Sequence, residues 1–349
     1  MAYTDIDKPS DYFNTKLYTG TGSSQSITGV GFQPDWVWIK NRSGTDWHIL
    51  TDAVRGATKE LYSNATNAED TNVNQLTSFD SDGFSIGGAS ETGRSSNNFA
   101  SWNWKAGTSF TNDASATGIG SIDSAGSASD VSGFSIVSFT GTGSNGTIKH
   151  GLSTAPSMVI IKRTDSANDW RVGSDALTNW TKHINLNTTA AESDLAVAFN
   201  STAPTSSVFS VGTSPSTNAS GGTFIAYCFA SIKGYSKIGS YTGNGNADGT
   251  FVYTGFKPAW IMIKANAGGE GWQMLDNKRD SFNVADQILQ ADLSNAESEV
   301  SGRATDFLSN GFKFRGTEAG TNSSSNTYIY MAFASEPFTT STGIPTTAR

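Results

Sequence analysis

Apolar residues along the chain alternate with a period of two in runs of five or six, and Gly, Asn, Asp and Ser cluster between the runs. Successive side chains of a strand point to opposite faces, so this pattern predicts short β-strands joined by tight turns. In "DWVWIK", Trp36, Trp38 and Lys40 fall on one face of the strand, and Val37 and Ile39 on the other. Trp260, Met262 and Lys264 stand against Ile261 and Ile263 in the same way. Neither face is polar, so the strand requires cover on both sides. The aliphatic face suits the core between two sheets. The tryptophan face, with the lysine stem lying over rings, suits a loop, a neighbouring unit, another subunit or a sugar. No long stretch holds a helical period. The one tempting helix, "NVADQILQADLSNAE", has counterparts "ATKELYSNATNAE" and "WTKHINLNTTAAE" that read as strand then turn, which predicts a strand with a short helical turn at the "AE" end.

Four anchor groups recur three times in the same order. An aromatic strand runs into a glycine turn at Gly20 and Gly22, Gly141 and Gly143, and Gly243 and Gly245. Pro34, Pro156 and Pro258 each precede Lys40, Lys162 and Lys264 by six residues, and Trp47, Trp170 and Trp272 follow seven or eight residues later. "GFSIGG", "VFSVGT" or "GFKFRG" then leads to "FASWNW", "FIAYCF" or "YIYMAF". The expected fold is therefore all-β, with three tandem antiparallel β-sandwich repeats of jelly-roll type. The expected boundaries are 1–105 with an N-terminal arm, a linker at 106–131, 132–233, 234–337 and a C-terminal tail at 338–349. The linker is rich in Gly, Ser and Ala and reads as loosely ordered, so units two and three should touch more intimately than units one and two.

Composition narrows the function. Charged residues make up 15% of the 349, Gly numbers 37, aromatics reach 11% and the net charge is −8. Such a chain suits tight-turned β structure and lacks the cationic surface that displaces counterions from nucleic acid. The single cysteine, Cys228, lies in an apolar run and cannot build a disulfide framework or a cysteine metal site within one chain. No basic-then-apolar leader opens the sequence and no run suits a membrane span, so synthesis in a cytosol is expected.

Two acidic positions travel with the repeat. Asp52, Asp175 and Asp276 follow the shared tryptophan, and Glu69, Glu192 and Glu297 each follow an alanine. Copies one and three add an arginine, Arg55 and Arg279, where copy two has Thr178. Carboxylate–guanidinium pairing can pin a loop, and the glutamates can cap turns, so structural duty is the default. A glycosidase pair needs one tuned site, which a thrice-repeated pair does not resemble. "DSDG" at Asp80 has the flavour of a calcium loop, but copies two and three carry "NSTA" and "LSNG" there, and a plain turn is the simpler reading. His48, His150 and His183 have no zinc spacing, and the Gly-x-Gly pairs precede strands and not phosphate-cradling helices. Neither a cofactor nor a metal is expected. Trp36, Trp38, Trp260, Trp47, Trp170 and Trp272 are the candidate interface or glycan-stacking residues.

The string "MAYTDIDKPSDYFNTKLYTGTGSSQSITGVGFQPDWVWIKNRS", continued by "TDAVRGATKELYSNATNAE" and "LTSFDSDGFSIGG", resembles a repeat domain of virion structural proteins from marine bacteriophages. Unit two departs from it, with Met158 in place of the first tryptophan and no Asp-x-x-Arg arginine. The resemblance implies a concanavalin/laminin-G-like jelly roll in a tail-fibre, appendage or capsid-surface protein, and brings no catalytic residues. It implies a non-enzymatic component of the virion surface whose partners are other virion proteins and copies of itself. A carbohydrate-binding adhesin, docking on cell-surface glycans through exposed aromatics, is the alternative.

Overall fold

Antiparallel strands make up almost all the regular structure of the chain, described here by a computed structural model that covers residues 3–346. The first lobe carries β1 (Phe13–Thr19), β2 (Gln25–Thr28), β3 (Trp36–Asn41), β4 (Ile49–Asp52), β5 (Lys59–Glu60), β6 (Asp70–Thr71), β7 (Leu76–Asp80), β8 (Gly83–Ile86) and β9 (Asn98–Trp104). Its inner sheet runs β1-β9-β3-β4 and its outer sheet β2-β8-β7. The second lobe holds β10 (Thr108–Asn112), β11 (Ser124–Ser129), β12 (Phe134–Thr140), β13 (Gly146–Lys149), β14 (Met158–Arg163), β15 (Arg171–Ser174), β16 (Lys182–Asn185), β17 (Ser193–Asp194), β18 (Val208–Val211) and β19 (Thr223–Phe229). Its inner sheet runs β10-β11-β12-β19-β14-β15-β16-β17, faced by β13-β18. The third lobe comprises β20 (Ser236–Thr242), β21 (Phe251–Tyr253), β22 (Phe256–Ala265), β23 (Gln273–Asp276), β24 (Gln287–Gln290), β25 (Ser298–Glu299), β26 (Thr305–Leu308), β27 (Gly311–Phe314) and β28 (Thr327–Pro337). Its sheets run β20-β28-β22-β23-β24-β25 and β21-β27-β26.

The two faces of β3, β14 and β22 separate as the side-chain alternation requires. Val37 and Ile39, Val159 and Ile161, and Ile261 and Ile263 each enter a separate core between inner and outer sheets. The opposite faces all enter one cluster that joins the three lobes, including Trp36, Trp38, Met158, Ile160, Trp260 and Met262. Trp36 stacks on Tyr227 of the second lobe at 4.4 Å between centroids. Phe13 stacks on Phe333 of the third at 4.9 Å, and Phe229 meets Phe333 at 6.1 Å. Every pair of lobes therefore shares aromatic contact at the centre.

The Gly-x-Gly turns have separate causes at their two positions. A Cβ on Gly20, Gly141 or Gly243 would lie 2.3–2.4 Å from the backbone oxygen of Arg94, Ala219 or Ser323. Gly22, Gly143 and Gly245 adopt φ of 75°, 74° and 63°, where side chains are strained. The first glycine permits close approach and the second the reversal.

Three sequence expectations need correction. Residues 106–131 are not a loose linker: β10 and β11 extend the second inner sheet through β12. Small side chains make this possible, because a Cβ on Gly126 would sit 2.1 Å from the Ile136 oxygen, while Phe110 packs against the second lobe's core. Nor do the second and third lobes touch preferentially, since all three meet in the central cluster. No helical turn forms at the "AE" positions; the glutamate there donates its backbone N–H to a neighbouring lobe instead. Residues 1, 2 and 347–349, the extremes of the expected arm and tail, lie outside the described residues.

Truncating a central ring should be felt by the whole molecule. Trp36→Ala is expected to lower the unfolding free energy by about 3–5 kcal/mol, the usual cost of an emptied aromatic site. Urea titration checks this, and a loss below about 1 kcal/mol would contradict the central placement.

Candidate functional site

The residues singled out by sequence converge on the joints between lobes. The backbone N–H of Glu69 donates to the Thr164 oxygen of the second lobe, that of Glu192 to Asn266 of the third, and that of Glu297 to Arg42 of the first. The bonds run one to two, two to three and three to one, which closes a ring within a single chain. The side chains reinforce it. Glu297 holds Arg42 at 2.6 Å and Arg279 at 3.0 Å, Glu192 accepts from Asn266 at 2.8 Å, and Glu69 pairs with Arg55 at 3.3 Å.

Two of the three lysines of the opening strands serve the same ring. Lys40 Nζ donates to the backbone oxygens of Asn41, Gly44 and Asp46, and across the joint to Ser294 at 3.0 Å. Lys162 Nζ donates to Asn168 and, across its joint, to Thr66 at 3.0 Å. Lys264 Nζ donates to the Glu270 oxygen. Burial pushes each ammonium down to about 8. The carbonyl oxygens gathered around it act against that, because they favour the charged form.

Trp170 and Trp272 donate from Nε1 to the backbone oxygens of Tyr62 and Asn185, each in the preceding lobe. Trp47 was expected as their counterpart, and the structure corrects this. Strand β4 begins at Ile49, β15 at Arg171 and β23 at Gln273, so the residue immediately before each strand is His48, Trp170 or Trp272. His48 is buried, accepts the Trp38 indole N–H at 2.8 Å on Nδ1, and faces the Gln290 and Leu293 oxygens of the third lobe. Trp47 is 42% exposed and meets Tyr62 edge-on.

The aspartates need the same one-residue correction. Across the inner sheets Asp52 pairs with Trp36, Ser174 with Met158 and Asp276 with Trp260. Ser174, and not Asp175, therefore stands at the repeated position, and Leu177, not Thr178, lies three residues on where the other lobes have arginine. Asp175 instead accepts the Trp180 indole N–H at 2.8 Å. Asp52 Oδ2 holds Arg55 at 2.5 Å and the Tyr227 hydroxyl of the second lobe at 2.8 Å. Asp276 Oδ2 holds Arg279 at 2.6 Å and the Trp102 indole of the first lobe at 3.1 Å. At the remaining joint Met331 occupies the position of Trp102 and Tyr227, facing Met262 across the sheet as they face Trp38 and Ile160. Where the carboxylate and guanidinium are replaced by Ser174 and Leu177, the neighbouring donor is replaced too. The exchange leaves no unpaired buried charge.

Asp80 accepts the hydroxyls of Ser78 and Ser85 within its own hairpin, and Asp82 accepts the backbone N–H groups of Gly29 and Gly31 in the neighbouring turn after β2, so both "DSDG" carboxylates are engaged by the protein itself. Of the six candidate stacking residues, Trp36, Trp38, Trp170, Trp260 and Trp272 are buried, and Trp47 alone offers a surface.

A family model described as Domain of unknown function (DUF7483) matches residues 8–337, from the start of the first lobe to the last strand of the third. The chain belongs to this family. No curated protein and no solved structure matches it. The family match runs unbroken across all three lobes and both joints between consecutive lobes.

Two measurements test the joints. Asp52→Ser alone takes from the buried Arg55 its closest carboxylate, leaving the longer pair with Glu69, and should cost about 3–5 kcal/mol in urea unfolding, whereas Asp52→Ser combined with Arg55→Leu and Tyr227→Met should cost less than that single change. Equal or additive losses would contradict the paired replacement. Burial, helped by the charges of Lys40 and Arg279, holds the His48 imidazole well below 6.5. The folded chain keeps it neutral while the unfolded chain takes up a proton below that pH. Stability should therefore decline on acidification below pH 6.5, more steeply than in His48→Gln by up to about 1.4 kcal/mol per pH unit.

Proposed function

We propose that the protein is a non-enzymatic structural component of a bacteriophage particle, a fibre, appendage or capsid-surface element that works by attachment and by assembly with other particle proteins and with its own copies. The observation that carries this reading is where the repeated acidic and aromatic residues go. Asp52, Asp276, Glu69, Glu192 and Glu297 are engaged with arginines, amides or backbone groups at the joints, and the central tryptophans cohere the lobes. A hydrolytic pair needs carboxyl groups that face a substrate across a cleft, whereas Asp52 and Asp276 are fully buried against their own guanidinium partners. Cohesion of a rigid body is the task these groups suit. The resemblance of the first lobe to phage structural repeats supplies the setting.

The adhesin alternative loses most of its proposed platform, because stacking on a sugar needs an exposed ring and, of the six candidate tryptophans, Trp47 alone offers one. Mass spectrometry of gradient-purified particles from an infected culture is expected to find this polypeptide in fixed ratio to the other particle proteins. Recovery from the lysate alone, with none in purified particles, would overturn the reading.

A further inference from the structure

The outer sheets of the lobes differ at one pair of positions. In β2 the residues flanking the buried Ile27 are Ser26 and Thr28, and in β13 those flanking Ile148 are Thr147 and Lys149. In β21 the residues flanking Val252 are Phe251 and Tyr253, which are 43% and 50% exposed. An outward strand face that is hydroxyl-bearing or cationic in two lobes is thus aromatic in the third. Solvation alone gives no reason for that change.

Tyr253 borders a cavity of about 350 Å³ whose walls include Tyr3, Lys233, Lys237, Thr254 and Gly255. The Tyr3 hydroxyl donates to the Gly255 oxygen at 2.6 Å, which ties the N-terminal segment to the connection between β21 and β22. Gly255 has φ of 84°, and a Cβ there would lie 2.8 Å from that hydroxyl, so glycine is what admits the tyrosine. Two cations flank the two rings. Lys233 Nζ lies 4.5 Å from the Tyr3 centroid and Lys237 Nζ 5.4 Å from that of Tyr253, with Lys237 also donating to the Tyr253 oxygen at 2.9 Å. Among the described residues neither ammonium has a carboxylate partner, while Lys313 and Arg315 on the neighbouring strand β27 and just beyond it both have one. A chain of net charge −8 therefore keeps two unneutralised cations beside two rings in one recess.

We propose that this recess is a binding site for an acidic saccharide. A sugar presents a C–H face that stacks on a tyrosine ring, and a uronate-type carboxylate supplies the anion that the paired ammoniums lack. The site is separate from the tryptophans of the central cluster and does not depend on the particle assignment.

Titration calorimetry of the full chain with tetragalacturonate and with neutral cellotetraose tests it. The expected result is saturable tetragalacturonate binding that weakens with added salt, with cellotetraose weaker by about tenfold or more. Tyr253→Ser and the pair Lys233→Gln with Lys237→Gln should each weaken uronate binding by about tenfold or more while the urea midpoint stays unchanged. These positions lie on the surface, so folding should survive both changes. No saturation by tetragalacturonate up to about 10 mM would overturn the proposal. So would equal affinity for both tetrasaccharides, undiminished binding in the variants, or tighter binding of a phosphopeptide used as a competitor.

Discussion

Each inner sheet of this protein has two apolar faces, and one sandwich can cover only one of them. The second face, carrying Trp36 and Trp38 in the first lobe and Trp260 and Met262 in the third, must be buried elsewhere. Each large ring left in water would forfeit about 2–3 kcal/mol. Three lobes meeting at a shared centre solve this within one chain, because each supplies the cover that the others need. A lone lobe would expose a tryptophan-lined sheet, and two would leave an open flank.

The polar groups follow from that geometry. Once the sheets converge, the loops between β4 and β6 and their counterparts cross onto the next lobe, where their backbone groups find partners. The buried lysines of β3, β14 and β22 end in backbone oxygens, two of them across a joint. Buried aspartate–arginine pairs strengthen two joints, and the third uses Ser174, Leu177 and Met331 in their place. The third joint forms without an ion pair, so the pairs are not required by the architecture as such.

Much of this was legible in the chain. Alternation in "DWVWIK" separated the aliphatic from the tryptophan face, and the glycine turns, the opening strands and the closing strands lie where the spacing places them. What escaped has specific causes. Trp47 matches the type of Trp170 and Trp272, but strand register counts from the pairing partner, and that selects His48. Asp175 was preferred to Ser174 for the same reason, since residue type is visible in a sequence and a one-residue register is not. The strands at Thr108–Asn112 and Ser124–Ser129 were hidden because small residues carry little β signal, although they are what allow the close packing on β12. The lysine–tyrosine recess joins Tyr3 to Tyr253 across the whole fold, and no local pattern announces it.

Native-state hydrogen exchange addresses the shared centre most directly, because it reads the opening of each lobe separately. The amides of β9, β19 and β28, interior strands of the three inner sheets, are followed under rising sub-denaturing urea. If the lobes stabilise one another through the common cluster, the slowest amides of all three strands merge onto one isotherm with a single opening free energy and the full urea dependence of global unfolding. Three separate isotherms, with one lobe opening at lower free energy while the others stay closed, would contradict the account.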